Sequence, residues 1–423
     1  MTLTTGVTMQ QPIRNPWNRL LMGSPLRRRP VAIGTIIVLA LLLCFATLTL
    51  DAMIHAMRPE AAKVLGRSLL AASLFSLVPV LILWQLDRRE RESPLLLTIA
   101  FLWGGLIATT LALPLNGAIL AGIDRWVAAN PFIKDLLGKD AALLLAAPVA
   151  GPLVEECTKG LGIVLLFWLL RAEYDNMRDG FLYGAMVGVG FNCLETPLYV
   201  AHGVEQFGAA PWELQLGARF ALFGLSGHAL FSGLFGASLG LARQTRRRWL
   251  QVWAPVLGLL LAIAAHVVNN LLPLIVTLVQ VGQGEPQPGS EELPDTTLVQ
   301  AWLMASAIHL VVFLPFFAVS SWMLWHSGRW ERQVIREELA GEPADIVTPG
   351  EQAQIGQDAI FRTRRILGED RRRCCALVNA QHELAFRKRR VRDAGGDPEA
   401  DALVAGWRED IRSLRQDSPG HAA

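Results

Sequence analysis

The sequence has little charge for its length. Only 18% of its 423 residues are Asp, Glu, Lys or Arg, whereas 52% are hydrophobic, and the mean hydropathy is +0.35. Soluble domains carry roughly 25% charged residues. The composition therefore excludes an ordinary soluble domain and predicts an integral protein of the lipid bilayer. We expect no nucleic-acid partner.

Several sequence signatures are also missing. The five cysteines form no CxxC pair and have no zinc-finger spacing, and the chain has no phosphate-binding loop, no glycine-rich dinucleotide fingerprint and no internal repeat. These absences exclude a cysteine-based redox or zinc site and a nucleotide-dependent enzyme. The missing repeat also counts against a transporter that is built from inverted halves.

The sequence does contain long apolar runs. A span of about 20 apolar residues can cross a bilayer. Such runs occur at 31–50, 68–86, 94–123, 141–170, 181–204, 220–242, 250–279 and 296–325. They predict an all-α fold, a polytopic membrane bundle of about eight transmembrane helices.

Two of these runs, 94–123 and 141–170, are long for one straight crossing at about 1.5 Å per residue. The first contains Pro114, and the second contains Pro148 and Pro152. A kink or a partly re-entrant segment is therefore the alternative, and it would change the helix count. No small-x-small cleavage site follows the first run of the chain, so we expect that run to be an uncleaved anchor.

The distribution of Lys and Arg between the connecting segments predicts the orientation. The segments 1–30, 87–93, 171–180 and 243–249 contain fourteen basic residues, against seven in the segments on the other side. Cytoplasmic loops carry an excess of positive charge. We therefore predict multi-pass insertion in the plasma (inner) membrane with the N-terminus and the C-terminus in the cytoplasm.

The composition divides the chain into three regions. These are a basic cytoplasmic arm at 1–30, a transmembrane domain at 31–325 with its core motifs at 140–280, and a polar cytoplasmic helical tail at 326–423. The domain at 31–325 contains all the candidate site residues, so we expect any catalytic function to be located there.

The tail contains helix signals of its own. The segments 348–351 (TPGE) and 397–399 (DPE) are typical of helix starts. Between them Leu377, Leu384 and Val391 recur every seven residues among many arginines. This pattern indicates either a surface for anionic lipid or another protein, or a solvated helix with an apolar seam.

Ionisable residues interrupt the apolar runs of the middle region. They are Glu155, Glu156, Lys159, Glu195, His228 and His266. Such groups are costly in lipid and are functional-site candidates by default. At about 1.5 Å per residue, Glu155, Glu195, His228 and His266 lie roughly 22 to 25 Å from the cytoplasmic ends of their helices. Four helices of alternating direction thus bring these groups to one layer, on the outer side of mid-membrane, which predicts a single site.

These residue types suit hydrolysis. A carboxylate beside a water acts as a general base, and sets of Glu and His commonly bind a divalent metal. Asn270 lies one helical turn beyond His266, where its amide can stabilise the oxyanion of a tetrahedral intermediate. The alternatives are a proton- or cation-coupled transporter or lipid-handling protein that uses the buried carboxylates, and an inactive membrane scaffold.

Four short motifs carry a family resemblance. They are Glu155-Glu156-x-x-Lys159, Phe191-x-x-x-Glu195, Gly227-His228 and His266-x-x-x-Asn270. In this order they resemble the motifs of the PrsW family of intramembrane proteases, which is related to the CAAX prenyl proteases and the bacteriocin-immunity membrane proteins. Lys159 and Glu195 favour the PrsW branch over the CAAX branch.

The resemblance implies an intramembrane endopeptidase, usually classed as a metallopeptidase, that cleaves a membrane-anchored protein such as an anti-sigma factor. It implies that Glu155 is the water-activating base and that Lys159 orients Glu156, a supporting acid. Asn270 would support the oxyanion. The residues that would hold a divalent metal, with zinc as the expected ion, or the water itself, are Glu195, His228 and His266. A glutamate-type mechanism without a metal, as the related CAAX enzymes have been interpreted, stays open.

Overall fold

The computed structural model of the chain describes residues 21, 24–86, 92–170, 173–283, 296–356 and 371–416. All regular elements within these ranges are helical, which confirms the predicted all-α fold. Most of the predicted arm at 1–30 lies outside the described residues. So do most of the predicted cytoplasmic loop at 87–93 and residues 284–295 of the loop before the last apolar run.

Helices follow one another along the membrane part of the chain with short connections. They are α1 (Arg29–Ala56), α2 (Pro59–Leu86), α3 (Pro94–Ala128), α4 (Pro131–Leu137), α5 (Ala141–Leu169), α6 (Met177–Phe207), α7 (Trp212–Arg219), α8 (Ala221–Gly224), α9 (His228–Gln244), α10 (Arg248–Gly282), α11 (Leu298–Val312) and α12 (Leu314–Leu339).

The described residues contain six helices that are long and apolar enough to cross a membrane. They are α1, α2, α3, α5, the segment Ala221–Gln244 and α10, and the bent pair α11 and α12, with 71° between its halves, gives a seventh if it is one span. The chain is thus an integral multi-pass protein, with six or seven such helices against the eight predicted. The difference is α6, the predicted run 181–204. Its glycines and polar residues lower its hydropathy, and almost all of it is buried by protein rather than facing lipid.

The two long runs are not split. The run at 94–123 becomes α3, a continuous helix with a π-helical segment at Trp103–Ala108. There, Gly104 lies against α6, where a Cβ would fall 1.9 Å from the Val187 carbonyl oxygen. The run at 141–170 becomes α5, which continues through both of its prolines.

Close helix contacts position the site. Small residues let helix backbones approach each other within a membrane, and α6 has such a face at Gly180, Gly184 and Gly188. A Cβ on Gly188 would fall 2.1 Å from the backbone oxygen of His228. The approach of α6 to α9 thus fixes the height at which His228 lies beside Glu195.

A sharp break in the chain precedes α9. Residues 222–224 have φ values of 47°, 60° and 75°, a left-handed conformation that is unfavourable for residues other than glycine. Ser306 of α11 stabilises the break, because its hydroxyl accepts the N–H of Leu222 at 3.0 Å. As a result His228 is the first residue of α9.

The described residues from Trp325 onward belong to a second compact unit, which also includes Leu86 and Glu92. Its helices are α13 (Pro349–Gly356), α14 (Arg371–Asp393) and α15 (Ala402–Gln416), and a 3₁₀ turn at Pro398–Ala400 lies before α15. Thr348 and Glu351 exchange the hydrogen bonds of a capping box, so the first predicted helix start occurs. The second start differs, because the DPE segment begins the 3₁₀ turn and Asp401 caps α15.

The apolar seam of α14 lies inside this tail unit. Leu377 and Leu384 belong to its buried core. Among the basic residues of the same helix, Lys388 contacts Glu342 and Arg392 contacts Glu338. This seam therefore packs against other tail residues, and the basic side chains form ion pairs within the tail. The domain limits expected at residues 30 and 325 stay a prediction.

Candidate active site

The structure brings the predicted site residues of four helices together in one buried cluster. Glu155, Glu156 and Lys159 come from α5, Glu195 from α6, His228 from α9 and His266 from α10. Each of these residues is at most 8% exposed. Buried charges need partners, and the cluster supplies them as a continuous series of contacts.

Glu156 joins a lysine to a histidine. Lys159 Nζ lies 2.5 Å from Glu156 Oε1, and His266 Nδ1 lies 2.9 Å from the same oxygen. Ser232 donates to Glu156 Oε2 at 3.2 Å. Because an ionised carboxylate only accepts hydrogen bonds, His266 carries its proton on Nδ1. Its Nε2 is left with a free lone pair.

His228 is held between a cation and an anion. Lys159 Nζ lies 2.9 Å from His228 Nδ1, and Glu195 Oε2 lies 2.8 Å from His228 Nε2. An ammonium group only donates, so Nδ1 accepts and Nε2–H donates to Glu195. The ring of Phe191 lies 4.4 Å below the Lys159 ammonium and 4.9 Å from the His228 ring. Phe191 thus shields this part of the cluster.

Glu155 has one bonded and one unbonded oxygen. Asn116 Nδ2 donates to Glu155 Oε1 at 3.1 Å. Glu155 Oε2 is buried and has no hydrogen-bond partner among the described residues, and it lies 3.8 Å from His266 Nε2. Two acceptor atoms without donors therefore face each other. This arrangement suits a metal ion or a water that donates to both atoms.

The donor atoms fit a divalent metal. One ligand atom each of Glu155, His228 and His266 lie within 4.8 Å of one another. The cluster also has three carboxylates but only two cationic side chains, Lys159 and Arg219, which favours one further positive charge. Both ring nitrogens of His228 already contact charged groups, so a metal would compete with one of them.

Glu195 is placed differently from the sequence expectation, which grouped it with the two histidines as a metal ligand. Its Oε2 accepts from Arg219 at 2.6 Å as well as from His228. The carboxylate that groups with His228 and His266 as a possible set of metal ligands is that of Glu155 instead. The assignment of Glu195 as a ligand stays a prediction.

Asn270 lies beside Glu155. A Cβ on Gly151 would fall 3.0 Å from Asn270 Nδ2 and 3.3 Å from Glu155 Oε1, so the glycine allows the two side chains to lie side by side. Asn270 Nδ2 donates to the Ala147 carbonyl at 2.9 Å. Since an amide nitrogen carries two hydrogens, one of them is left for another acceptor.

Three residues of the cluster were not predicted from the sequence. Asn116 is a polar residue within an apolar run, and Ser232 lies one helical turn after His228; spacing could have indicated both. Arg219 lies at the end of α7, and from the sequence alone it is only one of the basic residues of the connecting segments. Its guanidinium group lies 4.0 Å from the centre of the Tyr199 ring, a contact that no sequence spacing reveals.

A cavity of about 460 Å³ reaches this cluster. Its lining includes Glu155, Glu195 and Asn270 together with apolar and small side chains of α1, α3 and α5. Glu155 therefore borders a space that is large enough for part of a peptide.

Comparison with known proteins identifies the family. Residues 92–320 match the family model described as "PrsW family intramembrane metalloprotease". Protease PrsW of Geobacillus kaustophilus (strain HTA426) is 34% identical over 133 residues, which are 30% of this chain and 53% of that protein. Protease PrsW of Bacillus subtilis (strain 168) is 34% identical over 137 residues, which are 30% of this chain and 58% of that protein.

The chain thus spans about half the length of the curated relatives that it matches. No solved structure matches it. The family match covers more than half of the chain and includes every residue of the buried cluster. The chain belongs to the PrsW family of intramembrane metalloproteases.

Proposed function

We propose that this protein is an endopeptidase that hydrolyses a peptide bond of a membrane-anchored protein within the bilayer. The observation that carries the proposal is the pair of acceptor atoms Glu155 Oε2 and His266 Nε2, which lie 3.8 Å apart beside the cavity. A nucleophilic water between them can donate a hydrogen bond to each.

In this proposal Glu155 is the general base. Its carboxylate takes the proton of the attacking water and later gives it to the leaving amine. Glu156 accepts from His266 Nδ1 and so fixes the tautomer in which Nε2 faces the water. Lys159 balances the charge of Glu156, which lets that carboxylate stay ionised while fully buried.

The family description implies a metal, and we propose zinc. Glu155, His228 and His266 would hold it, with Glu195 and Glu156 as the carboxylates that orient the two imidazoles. When bound, such an ion lowers the pKa of a water and polarises a carbonyl group. Without a metal, the carboxylate of Glu155 and the lone pair of His266 would act on the water directly.

Asn270 is the proposed oxyanion donor. One of its amide hydrogens is directed to the Ala147 carbonyl, and the other can reach the carbonyl oxygen of a substrate that lies beside Glu155. Removal of an oxyanion donor of this kind costs about 10² to 10³ in kcat.

The proposed substrate is a membrane-anchored protein, in the manner of an anti-sigma factor. The proposed location is the plasma (inner) membrane with both termini in the cytoplasm, supported by the fourteen basic residues of one set of loops against seven of the other. In this orientation the cluster lies on the outer side of mid-membrane.

The test is cleavage of single-span substrates by the reconstituted protein. We expect Glu155→Gln and His266→Gln to lower the rate at least about 10³-fold, because an amide replaces neither the basic carboxylate nor the imidazole lone pair. Glu213→Gln is the matched control, since Glu213 is exposed on α7 outside the cluster.

Metal analysis and a chelator complete the experiment. Loss of activity with a chelator, restored by zinc, supports the metal-dependent mechanism, and retained activity supports the glutamate-type one. Full cleavage by both variants would overturn the proposed centre. Cation-driven uptake into proteoliposomes without any proteolysis would instead support a transporter.

A further inference from the structure

The cavity beside Glu155 is a groove lined by residues of α1, α3, α5, α6 and α10. From α5 its lining includes Leu143, Ala146, Ala147, Ala150, Gly151 and Glu155. These positions recur every three or four residues and so share one helix face. From Leu143 to Glu155 this face extends over roughly 18 Å, at about 1.5 Å per residue.

The opposite wall comes from α3. It includes Ala112, Asn116, Gly117 and Leu120, which again share one face. Small residues on both walls keep the groove open, whereas leucines at the same positions would fill it. An extended chain rises about 3.3 Å per residue, so the α5 wall has room for about five residues of an extended peptide.

The groove also borders a carboxylate that can bind a ligand, Glu155. Glu155 belongs to the lining, and its buried Oε2 has no hydrogen-bond partner among the described residues. The cavity volume of about 460 Å³ is about three times that of an engineered apolar cavity of about 150 Å³ that binds benzene. Several large apolar side chains therefore fit there.

We infer that this groove binds the substrate as an extended segment with bulky apolar side chains next to the scissile bond, and that Gly117 sets the size it accepts. The inference rests on the proposed function. A helix with its side chains is about 10 Å wide, so a membrane-spanning substrate has to unwind locally before it fits. The groove thus selects against alanine-rich, stably helical segments at the cleavage point.

A substitution at Gly117 can narrow the groove without a clash at the added Cβ. A Cβ on Gly117 meets no atom within 4 Å, and the same is true of Gly122 on the same helix. Only Gly117 lines the cavity. Gly117→Leu and Gly122→Leu therefore make the same change in the intrinsic helix propensity of α3, but only the first places a side chain in the groove.

The experiment compares two single-span substrates that differ only around the cleaved bond, one with Leu and Phe there and one with Ala. We expect the parent to cleave the bulky substrate faster. In Gly117→Leu the ratio of kcat/KM for the bulky over the alanine substrate should fall about tenfold or more, which is the usual size of steric discrimination. Gly122→Leu should keep the parent ratio. Equal ratios in all three proteins would overturn the inference.

A second readout does not depend on cleavage. The photoreactive amino acid benzoylphenylalanine is introduced into the Glu155→Gln variant at one of two positions of α5. Leu143 lines the groove and Val149 lies outside it. The two residues are similarly exposed, at 43% and 55%. Preferential cross-linking of the bulky substrate from position 143 supports the groove as a binding site. This result would hold even if the parent protein cleaves neither substrate. Absence of cleavage would then count against the proposed function and not against the groove. Equal cross-linking from both positions would overturn the groove.

Discussion

At the level of single residues, the cluster depends on side chains outside the four motifs. Glu195 lies between His228 and Arg219, so the histidine that faces the site is oriented by a carboxylate that an arginine holds in turn. Arg219 also bonds Gln215 and stacks on Tyr199. We therefore regard Arg219 as a positioning residue for His228.

Replacement of Arg219 tests this role. We expect Arg219→Gln to lower kcat about 10- to 100-fold with a smaller change in KM, which is the usual effect of losing a partner that orients a catalytic histidine. Arg219→Lys should recover part of the loss, because the charge returns without the planar fork. Arg125→Gln, at an exposed position, should leave both constants unchanged. Equal loss in the Gln and Lys variants together with a lower thermal stability would indicate a merely structural role.

At the level of helices, the sequence predicts much of the arrangement. The ordered motifs and the shared depth of the buried groups predict that four helices meet. The sequence also repeats glycine at 180, 184 and 188 of α6 and at 233, 236 and 240 of α9, which is typical of helices that approach closely. The contact between Gly188 and the His228 backbone agrees with this expectation. These features can be predicted from hydrophobic periodicity and residue spacing, because each pattern can be read within a single helix.

The break before α9 could not be predicted in this way. A left-handed conformation at Leu222 and Phe223 is unfavourable for both residues, and it persists because Ser306 and Trp302 of another helix bind the backbone there. Partners that are about 80 residues away in the sequence leave no local signal. The pairing of Arg219 with Glu195 also leaves no local signal, because the two residues lie on different helices and are 24 residues apart in the sequence.

The close contact of α6 with α9 predicts that a larger residue at position 188 destabilises the protein. Gly188→Ala places a Cβ about 2 Å from the His228 carbonyl oxygen, so the helices must move apart. We expect a thermal midpoint that is lower by several degrees and a loss of proteolysis. Gly66→Ala, where nothing lies within 4 Å of the added carbon, should be neutral or stabilising by about 0.5 to 1 kcal/mol. Full activity of Gly188→Ala would show that the close approach is not required.

At the level of the whole chain, residues beyond the family match form a folded unit. The sequence predicts helices in the tail and an apolar seam, but it leaves open what the seam contacts. The buried core around Leu384 and Phe386 answers that question. Ion pairs complete the unit. One of its acids, Glu342, binds Lys388 and both Nε and one terminal nitrogen of Arg408.

The Glu342 carboxylate predicts a pH-dependent stability of the tail. Burial acts to raise its pKa, but hydrogen bonds from Arg408 and Lys388 outweigh burial, so the pKa is lowered from its ordinary value of 4.5. A group with a lowered pKa stabilises the fold above its ordinary pKa, and this stabilisation is lost as the pH falls through the lowered value. The contribution of Glu342 should therefore be complete at pH 7 and decline only below about pH 4.5.

We expect Glu342→Gln to destabilise the tail by about 3 kcal/mol at pH 7, because it leaves buried cations without their acid. The difference from the parent should shrink below about pH 4. Hydrogen exchange of the α14 amides in the full chain measures this difference in stability. Glu337→Gln is the control, since Glu337 is 47% exposed in its pair with Arg389 and such pairs contribute less than about 1 kcal/mol. A difference that is constant with pH would contradict the role of the ionised carboxylate.

The backbone break at 222–224 also predicts when the candidate site forms during synthesis of the chain. Three polar contacts hold the segment before His228: Ser306 with Leu222, Trp302 with Phe220, and His309 with Ser226 at 2.8 Å. All three partners belong to α11, which leaves the ribosome after every residue of the cluster has been made. A nascent chain that ends before α11 thus contains all the candidate catalytic groups but cannot fix His228 in place. We expect such a chain to be inactive, so newly inserted molecules would not cleave neighbouring membrane proteins until the last helices have packed.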